Sequence, residues 1–183
     1  MCPGVGLVQR GFERFFSDLY ENLSGQCDVT LFKGGGSVSR TERIPCFLSR
    51  NGRFLRWIPL HWLIFRTRMH VECLTFAIGV LPALIRGKFD VVHVIDPPLA
   101  RLLFHMRNRL GLTFRLLYTE GTAMPPEDYP PCDFIHQMSP ETADEARAFG
   151  HDPTRMAVLP SGLDAKKFHQ KESLENLRKQ YGI

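Results

Sequence analysis

The sequence predicts an α/β fold, an open, mostly parallel Rossmann-like sheet with helices on both faces. Three observations carry that expectation. Strand-length apolar runs alternate with amphipathic helical stretches along most of the chain. The run 89–95 is almost unbroken in apolar residues, as a parallel strand covered on both faces requires. Glycines and Asx/Ser-Pro pairs punctuate the pattern where helices should stop and start.

Each element has a local reason. In 11–24, Phe12, Phe15, Phe16, Leu19, Tyr20 and Leu23 recur at three- and four-residue spacings and describe one helical face, closed by Gly25. Residues 27–32 predict a strand, followed by the flexible loop Lys33-Gly34-Gly35-Gly36-Ser37. Residues 38–53 carry little pattern. From 54 to 86 the chain is aromatic and basic and predicts two helices broken near 66–70, the second ended by Gly87.

After the strand 89–95, Asp96 is placed to cap a helix with Pro97 in its first turn, Leu99, Leu102, Leu103 and Met106 on its inner face and Gly111 at its end. Residues 114–118 predict the next strand. The Pro-rich loop 124–131 is expected to lack regular structure. A short strand over 134–138 follows, then a helix opened by Ser139-Pro140-Glu141 and stopped by Gly150. Met156 to Leu159 predict a buried strand ended by Pro160, with a Ser161-Gly162 turn; the last helix covers about 172–180.

Composition sets the outer limits. The chain has 183 residues, 44% of them hydrophobic and 11% aromatic, enough for one domain with a sizeable core. A formal charge of +4 favours phosphate-bearing ligands or an anionic membrane surface, and is too small to imply nucleic acid. Five scattered cysteines without a Cys-x-x-Cys pair predict a reducing, cytoplasmic setting with neither disulfides nor a zinc site. The first ten residues lack the basic start and apolar core of a signal peptide. The apolar stretch 69–85 is interrupted by His70, Glu72, Gly79 and Pro82, so a docked helix is expected rather than a membrane span. No Ser-His-Asp order, metal-ligand cluster or Walker loop is present, which removes support from hydrolase, metalloenzyme and nucleoside-triphosphatase readings.

Candidate site residues follow from where the loops fall. Gly4, Gly6 and Gly11 surround a loop whose amides, with the amino end of helix 11–24 and the charge of Arg10, suit a phosphate; an ordinary loop after a strand has the same residues. Glu13, beside that loop, faces a cleft, whereas Glu21 belongs to a solvated helix face. Asp96, at a strand's carboxyl end, is a ligand-site residue or a helix cap, and His93 a cleft residue or a hydrogen-bonded core histidine. Glu120, Gly121 and Thr122 end the next strand in the same layer, where a carboxylate suits an acceptor hydroxyl or a general base. Ser161 and Gly162 form a hinge, a plain turn or part of a cleft. Residues 50–68 mix Arg50, Arg53, Arg56, Arg66 and Arg68 with Trp57, Trp62 and Phe65, a composition suited to peripheral contact with the inner face of a membrane or to a core helix with basic ends.

The stretch Met-Ala-Val-Leu-Pro-Ser-Gly-Leu-Asp-Ala-Lys-Lys-Phe, residues 156–168, resembles the V-[IL]-P-[NS]-G-[VL]-D-x3-F signature that closes the N-terminal domain of retaining GT-B glycosyltransferases of family 4. The likeness extends to Gly11-Phe12-Glu13-Arg14-Phe15-Phe16, Asp28-Val29-Thr30-Leu31, 89–94, 133–140 and Leu177-Arg178-Lys179. It implies residues 1–168 as the acceptor-side half of a GT-B fold, lacking its first strand because Met1 and Cys2 alone precede the glycine turn, and 169–183 as a linker helix toward a C-terminal donor domain. It also implies a nucleotide-sugar donor, a glycan, lipid-linked or small-molecule acceptor, no cofactor and no obligatory metal. Retention would involve departure and attack on one face of the sugar, and the isolated chain would be inactive.

By resemblance Gly4, Gly6, Arg10, Gly11 and Glu13 lie near the donor diphosphate, and Glu120 stands where many relatives carry a histidine or asparagine. His93, Asp96, Gly121, Thr122, Ser161 and Gly162 would line the acceptor side or the interdomain cleft. The Glu-x7-Glu spacing of Glu13 and Glu21 matches a family motif that belongs to the C-terminal domain; on one helix these carboxylates stand roughly 12 Å apart along the axis. The second functional class is a non-catalytic α/β subunit that binds a membrane or a partner.

Overall fold

The structure, a computed structural model, describes residues 1–53, 55, 67–121, 124–160, 162 and 174–182. It is an α/β protein built on parallel strands. β1 (Leu31–Phe32) pairs with β2 (Glu42–Arg43), and β3 (Val91–Val94), β4 (Arg115–Glu120), β5 (Phe134–Gln137) and β6 (Met156–Val158) form a four-stranded sheet in that order. Every pairing is parallel. Met1 and Cys2 stand between the two sheets. The Met1 nitrogen donates to the His93 carbonyl at 2.6 Å, and the Cys2 amide donates to the Phe32 carbonyl at 3.1 Å. Two residues thus hold the place of a strand between β1 and β3.

Helices cover both faces of the sheet. On one, α1 (Gly11–Leu23) lays Phe12, Phe15, Phe16 and Tyr20 against Cys2, Val5, Leu31 and Ile95. On the other, α2 (Arg68–Arg86) and α3 (Pro97–Leu110) bury Phe76, Val80, Leu84, Leu99 and Leu103 over Val92, Val94, Leu116, Tyr118 and Ile135. The alternation of β3 decides this split, because Val92 and Val94 face the second core while His93 faces α1. Pro82 sits inside α2 without ending it. The carbonyl whose partner Pro82 removes belongs to Ile78, 52% exposed, so water can satisfy it.

The helix punctuation is as expected in part. Gly111 and Gly150 close α3 and α4 (Pro140–Phe149) in the left-handed conformation, with φ of 64° and 110°. The Ser139 hydroxyl accepts from the Thr142 amide at 3.3 Å and caps α4. Gly87 ends α2 with an extended φ of −86°.

Several expected bounds shift for physical reasons. The strand predicted over 27–32 contracts to Leu31–Phe32, because the Cys27 amide still bonds the Leu23 carbonyl at 3.0 Å and prolongs the end of α1. β2, unpatterned in sequence, is a two-residue strand of Glu42 and Arg43 tied down by the Lys33–Glu42 ion pair. β4 runs beyond 118, since Thr119 and Glu120 pair with His136 and Gln137 although neither is apolar. The Pro-rich loop holds a 3₁₀ turn, Pro126–Asp128, where the Asp128 amide bonds the Pro125 carbonyl at 2.9 Å. The last helix, α5, spans Leu174–Tyr181; residues 163–173, and with them the first five residues of the expected linker, lie outside the described residues. So do Arg56, Trp57, Trp62, Phe65 and Arg66 of the aromatic-basic stretch, and the break expected near 66–70 is seen only as the start of α2 at Arg68.

Candidate functional site

Because the strands run one way, their carboxyl ends and the loops that follow collect at one edge, where ligands bind in open α/β sheets. Two glycine loops meet there. The Gly34 and Gly35 amides both bond the Val5 carbonyl at 3.0 Å, while the Leu7 and Val8 amides bond the Gly4 carbonyl at 3.0 Å. The loops interlock closely: a Cβ on Gly34 would fall 1.9 Å from the Pro3 carbonyl oxygen, and one on Gly6, whose φ is +80°, 2.1 Å from the Gly35 oxygen. Much of the donor capacity expected of the loop is therefore used in holding it together.

Glu13 fills the space beside Gly4. A Cβ on Gly4 would fall 2.2 Å from Glu13 Oε1, and Glu13 Oε2 is buried with no hydrogen-bond partner. Glu13 stands in the first turn of α1, where the helix dipole favours a carboxylate. Arg10, at the N-cap position of the same helix, makes no side-chain cap and is exposed, as is Gly11.

Asp96 follows β3. It occupies the N-cap position of α3, yet its carboxylate makes no capping bond, so capping is not its role. Burial pushes its carboxyl up to about 6, against the pull of Arg50 and with further push from Glu72 and Glu13. Glu72, 1% exposed, accepts the Arg50 amide at 2.9 Å on Oε1 and pairs through Oε2 with Arg50 Nε at 2.6 Å. Asp96 thus lies in the fields of both Glu13 and Glu72, with Arg50 as the counter-charge. A bare phosphate approaching here meets like charge, whereas the hydroxyls of a polyol meet acceptors.

Glu120 ends β4 on the opposite face from Thr119. It is 2% exposed, and its Oε1 accepts the Met124 amide at 2.8 Å, which ties the following loop to the strand. Farther along the same loop Tyr129 accepts a hydrogen bond on its hydroxyl from the Gln137 amide group at 3.2 Å, its ring 6.1 Å from that of Tyr118. The Tyr118 hydroxyl and Gln137 Oε1 are buried without partners. Gly121 packs on α1: a Cβ there would fall 2.5 Å from a Phe12 ring carbon.

His93 belongs to a chain of hydrogen bonds under α1. Its Nε2 is 2.5 Å from Thr119 Oγ1, Thr119 Oγ1 is 3.0 Å from His136 Nδ1, and His136 Nε2 is 2.7 Å from the Leu159 carbonyl. The carbonyl can only accept, so His136 carries its proton on Nε2, Thr119 donates to His136 Nδ1, and His93 Nε2 donates to Thr119. Burial, the nearby amino terminus and His136 hold His93 down at about 3, so its ring serves this chain as a neutral imidazole. Phe16 lies 4.9 Å from the His93 ring, centroid to centroid.

The edge thus gathers Gly4, Gly6, Glu13 and Asp96, places Gly121 against Phe12 of α1, and sets His93 beneath α1 in the core. Gly162 is exposed, and Thr122 and Ser161 lie outside the described residues. Sequence reasoning passed over Arg50 and Glu72 as a pair, and Thr119 and His136 as links. The signal for Glu72 was present, a lone carboxylate inside an apolar helix; the partnership of residues 22 positions apart was not. Among the described residues no group of three or more His, Cys, Asp or Glu side chains converges as a metal site would need. No protein-family model matches the chain, and comparison with curated proteins finds no significant match.

Proposed function

We propose that the chain is the N-terminal, acceptor-side half of a retaining GT-B glycosyltransferase, which moves a sugar from a nucleotide-sugar to a glycan, lipid or small-molecule acceptor. The observation that carries this reading is Asp96: a half-buried carboxylate at the carboxyl end of a parallel strand, not used as a helix cap, in the field of Glu13. The resemblance of residues 156–168 to the family signature supplies the reaction class. On this reading Asp96 and Glu13 accept hydrogen bonds from acceptor hydroxyls. Glu120 binds a hydroxyl or acts as base once its bond to the Met124 amide is released. A second domain binds most of the donor, and the leaving diphosphate helps to take the acceptor's proton. A cytoplasmic setting and peripheral membrane contact through 50–68 belong to the same proposal.

Calorimetric titration of the purified chain tests it. Oligosaccharides should bind, nucleotide-sugars should bind more weakly or not at all, and a mixture of both should give no product. Turnover by the chain alone, or donor binding tighter than acceptor binding, would contradict this division of labour.

A further inference from the structure

Charge is out of balance where α1, α2 and the end of β3 meet. Cys2, Val5 and Ile95 share one apolar cluster with Phe16, so the glycine loop and the first turns of α1 stand beside the end of β3. Asp96 is the next residue after Ile95, and the Glu13 carboxylate fills the space beside Gly4. The charges acting on Asp96 are Arg50 and the Met1 amine on the positive side, Glu72 and Glu13 on the negative.

The positive groups are already engaged. Arg50 is held by Glu72, Nε to Oε2 at 2.6 Å and backbone amide to Oε1 at 2.9 Å. Burial keeps the Met1 amine down at about 6, and that amine donates to the His93 carbonyl. Lys33 is paired with Glu42, and Arg10 is exposed. Among the described residues no ion pair includes Glu13 or Asp96. Glu13 is 8% exposed and its Oε2 has no hydrogen-bond partner, while the half-buried Asp96 carboxylate makes no capping bond. Carboxylates so placed are costly unless a donor reaches them.

The donor that fits best carries its own positive charge. A hydroxyl satisfies one oxygen and leaves the negative charge in place, whereas a primary ammonium brings three N–H donors and neutralises a carboxylate. A metal ion is a poorer match, because no group of three or more His, Cys, Asp or Glu converges among the described residues. We propose that Glu13 and Asp96 together bind a primary ammonium group, and that the acceptor is an amino sugar or amino polyol in preference to a neutral glycan. The word acceptor rests on the acceptor-side reading; the ammonium site does not.

Calorimetric titration of the chain at neutral pH with two matched trisaccharides tests it, a glucosamine trisaccharide and the same trisaccharide N-acetylated. They share rings, length and linkage, and the first alone carries ammonium groups. The chain's net charge of +4 opposes a cationic ligand overall, so a preference for one reports the local pair. The amino form should bind about tenfold or more tightly than the acetylated form. Glu13→Gln and Asp96→Asn, which keep shape and remove charge, should each cut that preference severalfold. Equal affinity for the two forms, tighter binding of the acetylated one, or a preference that both variants leave intact would overturn the ammonium site while leaving the acceptor-side reading standing. Binding of neither form would overturn both.

Discussion

The Thr119 hydroxyl stands 2.5 Å from His93 Nε2 and donates its own hydrogen bond to His136, which joins β3, β4 and β5 through one buried side chain. His136 carries the link on to the Leu159 carbonyl, just ahead of the Pro160–Gly162 turn. Thr119→Val keeps the shape and removes both bonds, leaving a buried imidazole N–H and a buried ring nitrogen without partners. The variant should lose about 2–3 kcal/mol in urea unfolding, with nitrogen NMR showing both wild-type rings protonated on Nε2. A loss below about 0.5 kcal/mol would show that the link contributes little.

Two half-buried groups, His93 and Asp96, give stability opposite dependences on pH. His93 is held at about 3 against 6.5 in the open chain, so the unfolded state takes up a proton that the folded state refuses. Its contribution is complete above pH 6.5 and drains as pH falls toward 3. Asp96 is raised to about 6 from 3.8, so its contribution is complete below 3.8 and is lost as pH rises through 6. Asp96→Asn should therefore stabilise the protein by roughly 1–3 kcal/mol at pH 8 and have no effect at pH 3. Denaturant unfolding across that range gives the difference directly.

The interlocked glycine loops should be intolerant of added atoms. Gly34→Ala drives a methyl into the Pro3 carbonyl, and Gly6→Ala adds both a backbone clash and a left-handed φ of +80°. Each should cost on the order of 2 kcal/mol or more in thermal unfolding, whereas Gly11→Ala, with open space around its Cβ, should cost less than about 0.5 kcal/mol.

Glu72 needs Arg50. Arg50→Met leaves the carboxylate at 1% exposure without its counter-charge and should destabilise the chain by about 3 kcal/mol. The double variant with Glu72→Met should recover most of that loss, which a double-mutant cycle would show.

The order of strands and helices is legible because it rests on local signals: the apolar run that ends in Ile95, the glycines that close α3 and α4, and the serine that caps α4. β2 and the last residues of β4 are not, because Glu42, Arg43, Thr119 and Glu120 are polar and become strand through pairing with distant neighbours. The site divides the same way. Asp96 can be placed from its position after a strand, since topology alone puts it at the ligand edge. The relation of Glu13 to Gly4, and the burial of Glu120 under its own loop, come from packing between segments and leave no mark on either segment alone.

Amide chemical-shift mapping during titration with oligosaccharides tests the acceptor-side reading most directly. Saturable shifts should appear at Gly4, Glu13, Asp96 and Gly121, and Asp96→Asn should weaken the binding by about tenfold while leaving the fold's spectrum intact. Shifts confined to the far end of the sheet, or binding that Asp96→Asn leaves unchanged, would contradict it.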